Sequence, residues 1–93
     1  MANPRHNHNK QAYMDLQPRV PLVEICDNRR VLIENHNGIT CYGGNEIIVK
    51  VKKGDISISG ENLYLCRMNR VKLVITGKIS SVHMHIGVGN GNI

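Results

Sequence analysis

From Arg30 to Ile86 the apolar residues recur at every second position, and a turn signal breaks the pattern about every ten residues, which leaves almost no room for a helix. Val31 and Ile33 alternate with Leu32 and Glu34 before Asn35-His36-Asn37-Gly38, where Asn-Gly supplies the positive φ angles of a tight hairpin. Ile39 to Tyr42 resume the pattern and Gly43-Gly44-Asn45 ends it. Ile47, Val49 and Val51 then share one face, with Ile48, Lys50 and Lys52 on the other, up to Lys53-Gly54. Ile56 and Ile58 follow, then Gly60-Glu61-Asn62, then Leu63 and Leu65 against Tyr64 and Cys66. After Met68-Asn69, Val71, Leu73 and Ile75 point inward until Gly77 breaks the strand, and Val82, Met84 and Ile86 close the series against His83 and His85. The pattern predicts an all-β domain of about seven short, mostly antiparallel strands. A meander forming a small sandwich or open barrel fits it, and so does a short β-solenoid. Hairpin-like turns and the lack of a fixed-length repeat favour the meander.

The core must be aliphatic, because the 93 residues contain no Phe, no Trp and only Tyr13, Tyr42 and Tyr64 as aromatics. The β-branched Val and Ile that replace them suit a pleated, half-buried surface. A chain this short with so few large side chains gains stability by pairing with copies of itself or with a partner. The expected organisation is a flexible Asn/His-rich arm at 1–12, an extended lead-in at 13–28 bracketed by Pro18 and Pro21, a β-domain at 29–86 and a Gly-rich tail at 87–93.

Twelve Lys and Arg against seven Asp and Glu give a net charge of +5, spread so that no basic run exceeds two residues. Such a balance attracts anionic partners without choosing among them, and a solvated basic surface is its plain reading. Cys26, Cys41 and Cys66 form no C-x-x-C pair, as expected of a reducing compartment and not of a disulfide framework or a zinc site. The opening residues have no apolar leader segment and no stretch reaches the ~20 apolar residues of a membrane span, so a cytoplasmic location without a transmembrane segment is expected.

His83 and His85 lie two apart on a predicted strand, so their rings share a face and could share a Zn, Ni or Cu ion. No third ligand lies nearby in sequence, so two solvent-facing histidines are the expected reading, and no metal or other cofactor is assigned. His36 sits in a turn with no role assigned to it. The Ser, Cys and His residues are too scattered for a nucleophile with its base, and the carboxylates make no acid–base pair, so an enzyme is not expected. Lys50, Lys52 and Lys72 could line a basic sheet face with Tyr64 for nucleic acid, but one exposed ring is poor provision for base stacking. On the nominally polar side Ile48, Tyr64, Cys66 and Val74 would form, if aligned, an apolar stripe rimmed by lysines, either a protein contact or a second buried layer. Ile48, Tyr64, Val74, Lys50, Lys52 and Lys72 are therefore the candidate partner-binding residues.

Four segments carry a family resemblance: Arg30-Val-Leu-Ile-Glu-Asn-His-Asn-Gly-Ile39, Glu46-Ile-Ile-Val-Lys-Val-Lys-Lys-Gly54, Ile58-Ser-Gly-Glu-Asn-Leu63 and Leu73-Val-Ile-Thr-Gly-Lys-Ile79. In order and spacing they resemble the YabP/YqfC family of sporulation proteins, its YqfC branch in particular, over about residues 15 to 86. The resemblance implies a role in endospore formation, in the mother-cell compartment, contributing to cortex or coat assembly. It implies other sporulation proteins as partners, a membrane-bound one among the candidates, and no catalytic residue to transfer. The expected function is therefore a non-enzymatic sporulation protein acting by self-association and protein contacts. The alternative is a basic β-domain that binds nucleic acid or an anionic surface.

Overall fold

A computed structural model of the chain describes residues 20–87, and the expected arm at 1–12 and all of the tail beyond Gly87 lie outside them. The described residues are all β: β1 (Leu22–Cys26), β2 (Arg30–Glu34), β3 (Ile39–Tyr42), β4 (Glu46–Val51), β5 (Gly54–Met68) and β6 (Lys72–Ile86). They form one antiparallel sheet in the order β1-β2-β6-β5-β4-β3. The β3-β4-β5-β6 run is the expected meander, and the β1–β2 hairpin is added to its β6 end.

Two long strands replace four of the expected short ones. β5 continues through Gly60-Glu61-Asn62 and β6 continues through Gly77, each for 15 residues. The turn chemistry at these places is spent on a bend within the hairpin. Register shifts fall at Ser59/Gly60 and between Glu61 and Tyr64, with Asn62 at φ 53° and Gly77 at φ 139°. A sixth strand, β1, comes from the second half of the lead-in, where Pro21 precedes the strand and so takes no donor from the ladder.

The bend divides the sheet into two halves. One holds β1, β2 and the pairing of β6 Lys72–Thr76 with β5 Tyr64–Met68. The other holds β3, β4 and the pairing of β5 Gly54–Ser59 with β6 Ser81–Ile86. Val31, Ile33, Leu73 and Ile75 of the first half join Ile47, Val49, Ile56 and Ile58 of the second in one core cluster, all with no exposed surface. A single sheet buries one face this completely only when something covers it, and here each half covers the other. Each of these Val, Ile and Leu side chains contributes about 1.5–3 kcal/mol by leaving water.

Asn35-His36-Asn37-Gly38 does not close a hairpin, because β2 pairs with β1 and β6 while β3 pairs with β4. It carries the chain from one half to the other. Asn35 N–H donates to Val71 O at 2.6 Å, and Asn37 N–H donates to Lys50 O at 2.6 Å, so the corner is tied to both halves. His36, expected to have no role, is the buried polar side chain at this corner, 7% exposed. Gly38 N–H donates to its Nδ1 at 3.0 Å, so the ring proton sits on Nε2, which donates to Asn69 O at 2.8 Å. Asn69 in turn accepts at Oδ1 from Val71 N–H and Lys72 N–H, at 2.9 and 2.8 Å, and so shapes the β5–β6 turn.

A Cβ at Gly77 would lie 2.6 Å from Asn62 O, on a backbone conformation that L side chains rarely adopt. Gly77→Ala is expected to cost at least ~2 kcal/mol and to lower Tm by roughly 10 °C in thermal unfolding; an unchanged Tm would show that the bend does not depend on this residue. His36→Leu keeps the corner filled but strands Asn69 O and Gly38 N–H, and is expected to cost about 1–3 kcal/mol. Urea titration reads this as a lower midpoint at unchanged slope.

Candidate interaction surfaces

Residues that alternate with the core build the outer faces of the two halves. On the first half, Arg30, Leu32 and Glu34 of β2 stand opposite Thr76, Val74 and Lys72 of β6. Tyr64 and Arg67 of β5 continue the rows beside Thr76 and Val74. Strict alternation would have sent Arg67 inward with Leu65. The register shift between Leu65 and Arg67 inserts Cys66 as a bulge and turns Arg67 onto the outer face beside Val74. A shallow depression results, with half-buried Leu32 and Val74 on its floor and Arg30, Arg67 and Lys72 around it, together with Cys66 and Thr76. A second depression, lined by Asn28, Arg29, Arg30, Thr76, Gly77 and Lys78, shares Arg30 and Thr76 with the first.

Two of these cations have carboxylate partners: Lys72 Nζ lies 3.6 Å from Glu34 and Lys78 Nζ 4.0 Å from Glu61. The first pair is partly exposed and the second largely so, and both are long enough to contribute little to stability. Among the described residues no ion pair forms at Arg29, Arg30 or Arg67, which leaves three guanidinium groups free to meet an anionic or carbonyl-rich partner. Thr76 Oγ1 is buried beneath this surface with no hydrogen-bond partner.

The candidate partner-binding residues divide between the halves. Tyr64, Val74 and Lys72 belong to the first outer face, where Tyr64 is 55% exposed. Ile48 and Lys50 belong to the second, opposite Ser57 and Asp55, and Lys52 lies in the β4–β5 turn. The apolar stripe therefore unites Tyr64, Cys66 and Val74 but not Ile48. Sequence reasoning missed Arg30, Leu32 and Arg67, since strand pairing brings Arg30 to Thr76 and Leu32 to Val74, and a bulge brings Arg67 beside Val74. The Arg30-x-Leu32 spacing on a predicted strand was the available signal for the first two.

His83 and His85 do share a face, the outer face of the second half, with ring centroids 5.8 Å apart. Their cross-strand neighbours are Ser57 and Asp55. Among the described residues no group of three or more His, Cys, Asp or Glu side chains is placed to hold a metal ion. Cys26, Cys41 and Cys66 are all exposed free thiols. No helix of the described residues is long and apolar enough to cross a membrane.

The family model described as the YabP family matches residues 19–90. These residues take in every strand of the sheet, the 35–38 corner and the bend. The chain is also similar to a protein of Bacillus subtilis (strain 168) named "Uncharacterized protein YqfC", 26% identical over 68 residues that cover 73% of each chain. No solved structure matches the chain. With a match that spans the whole bent sheet and its crossover, the chain belongs to the YabP family.

Proposed function

We propose that this is a non-enzymatic sporulation protein that contributes to spore cortex or coat assembly through self-association and contacts with other sporulation proteins in the mother-cell cytoplasm. Membership of the YabP family supports a sporulation-related role, and that match is the observation that carries the reading. The surface supports the mode of action. Leu32, Val74 and Tyr64 put apolar area on an outer sheet face, and arginines around them can pair with carbonyls or carboxylates at its rim. That the protein is non-enzymatic is part of the same proposal, and one arrangement on the second half supports it. Ser57 and His83 are cross-strand neighbours on the outer face of the second half, without the hydrogen bond that a nucleophile and its base would share.

Deleting the gene from its sporulating host is expected to leave vegetative growth unchanged and to yield spores with a defective cortex or coat. Thin-section electron microscopy and survival after heat and lysozyme treatment read the outcome. Spores of normal structure and resistance would refute the assembly role.

A second reading, binding to nucleic acid or another anionic surface, is favoured by the unpaired Arg29, Arg30 and Arg67. It expects affinity for single-stranded nucleic acid or anionic vesicles that falls steeply with salt and is lost in the double variant Arg30→Glu, Arg67→Glu. Binding indifferent to both salt and substitution would eliminate it.

A further inference from the structure

An open sheet must end somewhere, and backbone donors and acceptors at its ends are templates for further strands. Three of the exposed edges are blunted. β1 is five residues long, carries Glu24 and is preceded by Pro21. β3 has four residues and a register shift between Ile39 and Cys41. The outer edge of β5 at Tyr64–Met68 is broken by the Cys66 bulge, carries Arg67, and gives its Leu65 N–H to Tyr42 Oη at 3.2 Å.

The fourth edge has none of these devices. From Ser81 to Ile86, β6 pairs with β5 Ser59 to Gly54 in unbroken register. On its other side the β1–β2 turn covers the strand only as far as Ile79, whose N–H donates to Asn28 O at 2.8 Å. Beyond that point no backbone among the described residues pairs with its free side. Ile79 to Ile86 contains no Lys, Arg, Asp, Glu or Pro. Val82, Met84 and Ile86 face the same side as the core residues Ile58 and Ile56, yet Met84 is 57% and Ile86 37% exposed. The core runs out to this edge, and none of the described residues covers it there.

We propose that this edge is the self-association surface, where a second copy of the chain adds its own Ser81–Ile86 antiparallel to the first about a two-fold axis at Met84. The proposal rests on the self-association reading above and assigns it a surface. Two features of the chain select a second copy as the occupant. First, each copy carries a net charge of +5, so copies repel unless they approach through an uncharged element, which this strand is. Second, the strand is self-complementary. In an antiparallel pair, opposed residues point to the same face, so with Met84 on the axis Val82 meets Ile86 and Met84 meets its own counterpart. All three inner positions are then apolar against apolar, and the two cores join across the seam. The outer positions oppose His83 to His85, which brings no Lys, Arg, Asp or Glu into the seam.

The test is the mass of the full-length chain in solution, by light scattering after size exclusion from micromolar to millimolar concentration. The expected result is a dimer that Met84→Lys converts to a monomer with an unchanged far-UV circular dichroism spectrum, since two ammonium groups would then meet on the axis. Leu22→Lys, on the β1 edge, is expected to leave the dimer intact. A second measurement does not depend on disruption. In a background of Cys26→Ser, Cys41→Ser and Cys66→Ser, Met84→Cys is expected to form a disulfide-linked dimer with oxidised glutathione, and Leu22→Cys is not. Association that survives Met84→Lys, or fails to cross-link through position 84, would overturn this edge and leave self-association through another surface standing. A wild-type monomer at every concentration would overturn self-association itself, including the case in which the chain's own terminal residues fill the edge.

Discussion

The structure depends on one hairpin bending back on itself. β5 and β6 are long enough to belong to both halves of the sheet, and the bend near Gly60, Asn62 and Gly77 turns one half against the other. Without it the sheet would have one long apolar face open to water, since no helix or second sheet is present among the described residues to cover that face. With it, eleven aliphatic residues from β2, β4, β5 and β6 form one cluster. A chain without Phe or Trp cannot fill wide gaps with large rings, so two layers of Val, Ile and Leu in close contact are the economical solution.

The corner at His36 is the complement of the bend. The bend holds the halves together through continuous strands, and the corner ties them where β2 passes to β3. A buried imidazole is costly unless both nitrogens find partners, and here both do, one on each side of the crossing. The ring makes a donor–acceptor bridge from Gly38 N–H to Asn69 O, between segments 31 residues apart in sequence. A turn histidine with no evident chemistry thus becomes a structural residue, for a reason local sequence does not carry.

Folding over also decides the surface. A sheet closed into a barrel would have no edges, whereas a sheet folded over keeps them, and this chain protects some more fully than others. Short strands, a proline, bulges and charges protect three of them. The C-terminal half of β6 has a regular register and an uncharged sequence, and inner-face residues reach its rim. The arginine-rimmed depression on the other half is a different kind of surface, polar at its margin and apolar at its floor. The first suits strand addition and the second a side-chain contact.

The alternation by itself determined the all-β class and most of the core. Ile47, Val49, Val51, Ile56, Ile58, Leu73 and Ile75 are inward in the pattern and buried in the fold, because side-chain direction in a strand is a local property of period two. The order of the four family segments was likewise legible, since each is a contiguous run. Tertiary structure alone decided which strands pair. Asn-Gly at 37–38 has the chemistry of a hairpin turn, yet the pairing of β2 with β6 wins, because it buries Val31 and Ile33 against Ile75 and Leu73. It also decided that Gly60 and Gly77 bend strands instead of ending them, and that Val71 and Met84, inward in the pattern, lie exposed at the margins of the core. Of the candidate surface, Tyr64, Val74 and Lys72 were legible as residues of one face. Arg67 was not, since a bulge is set by how two strands fit each other and leaves no local period to read.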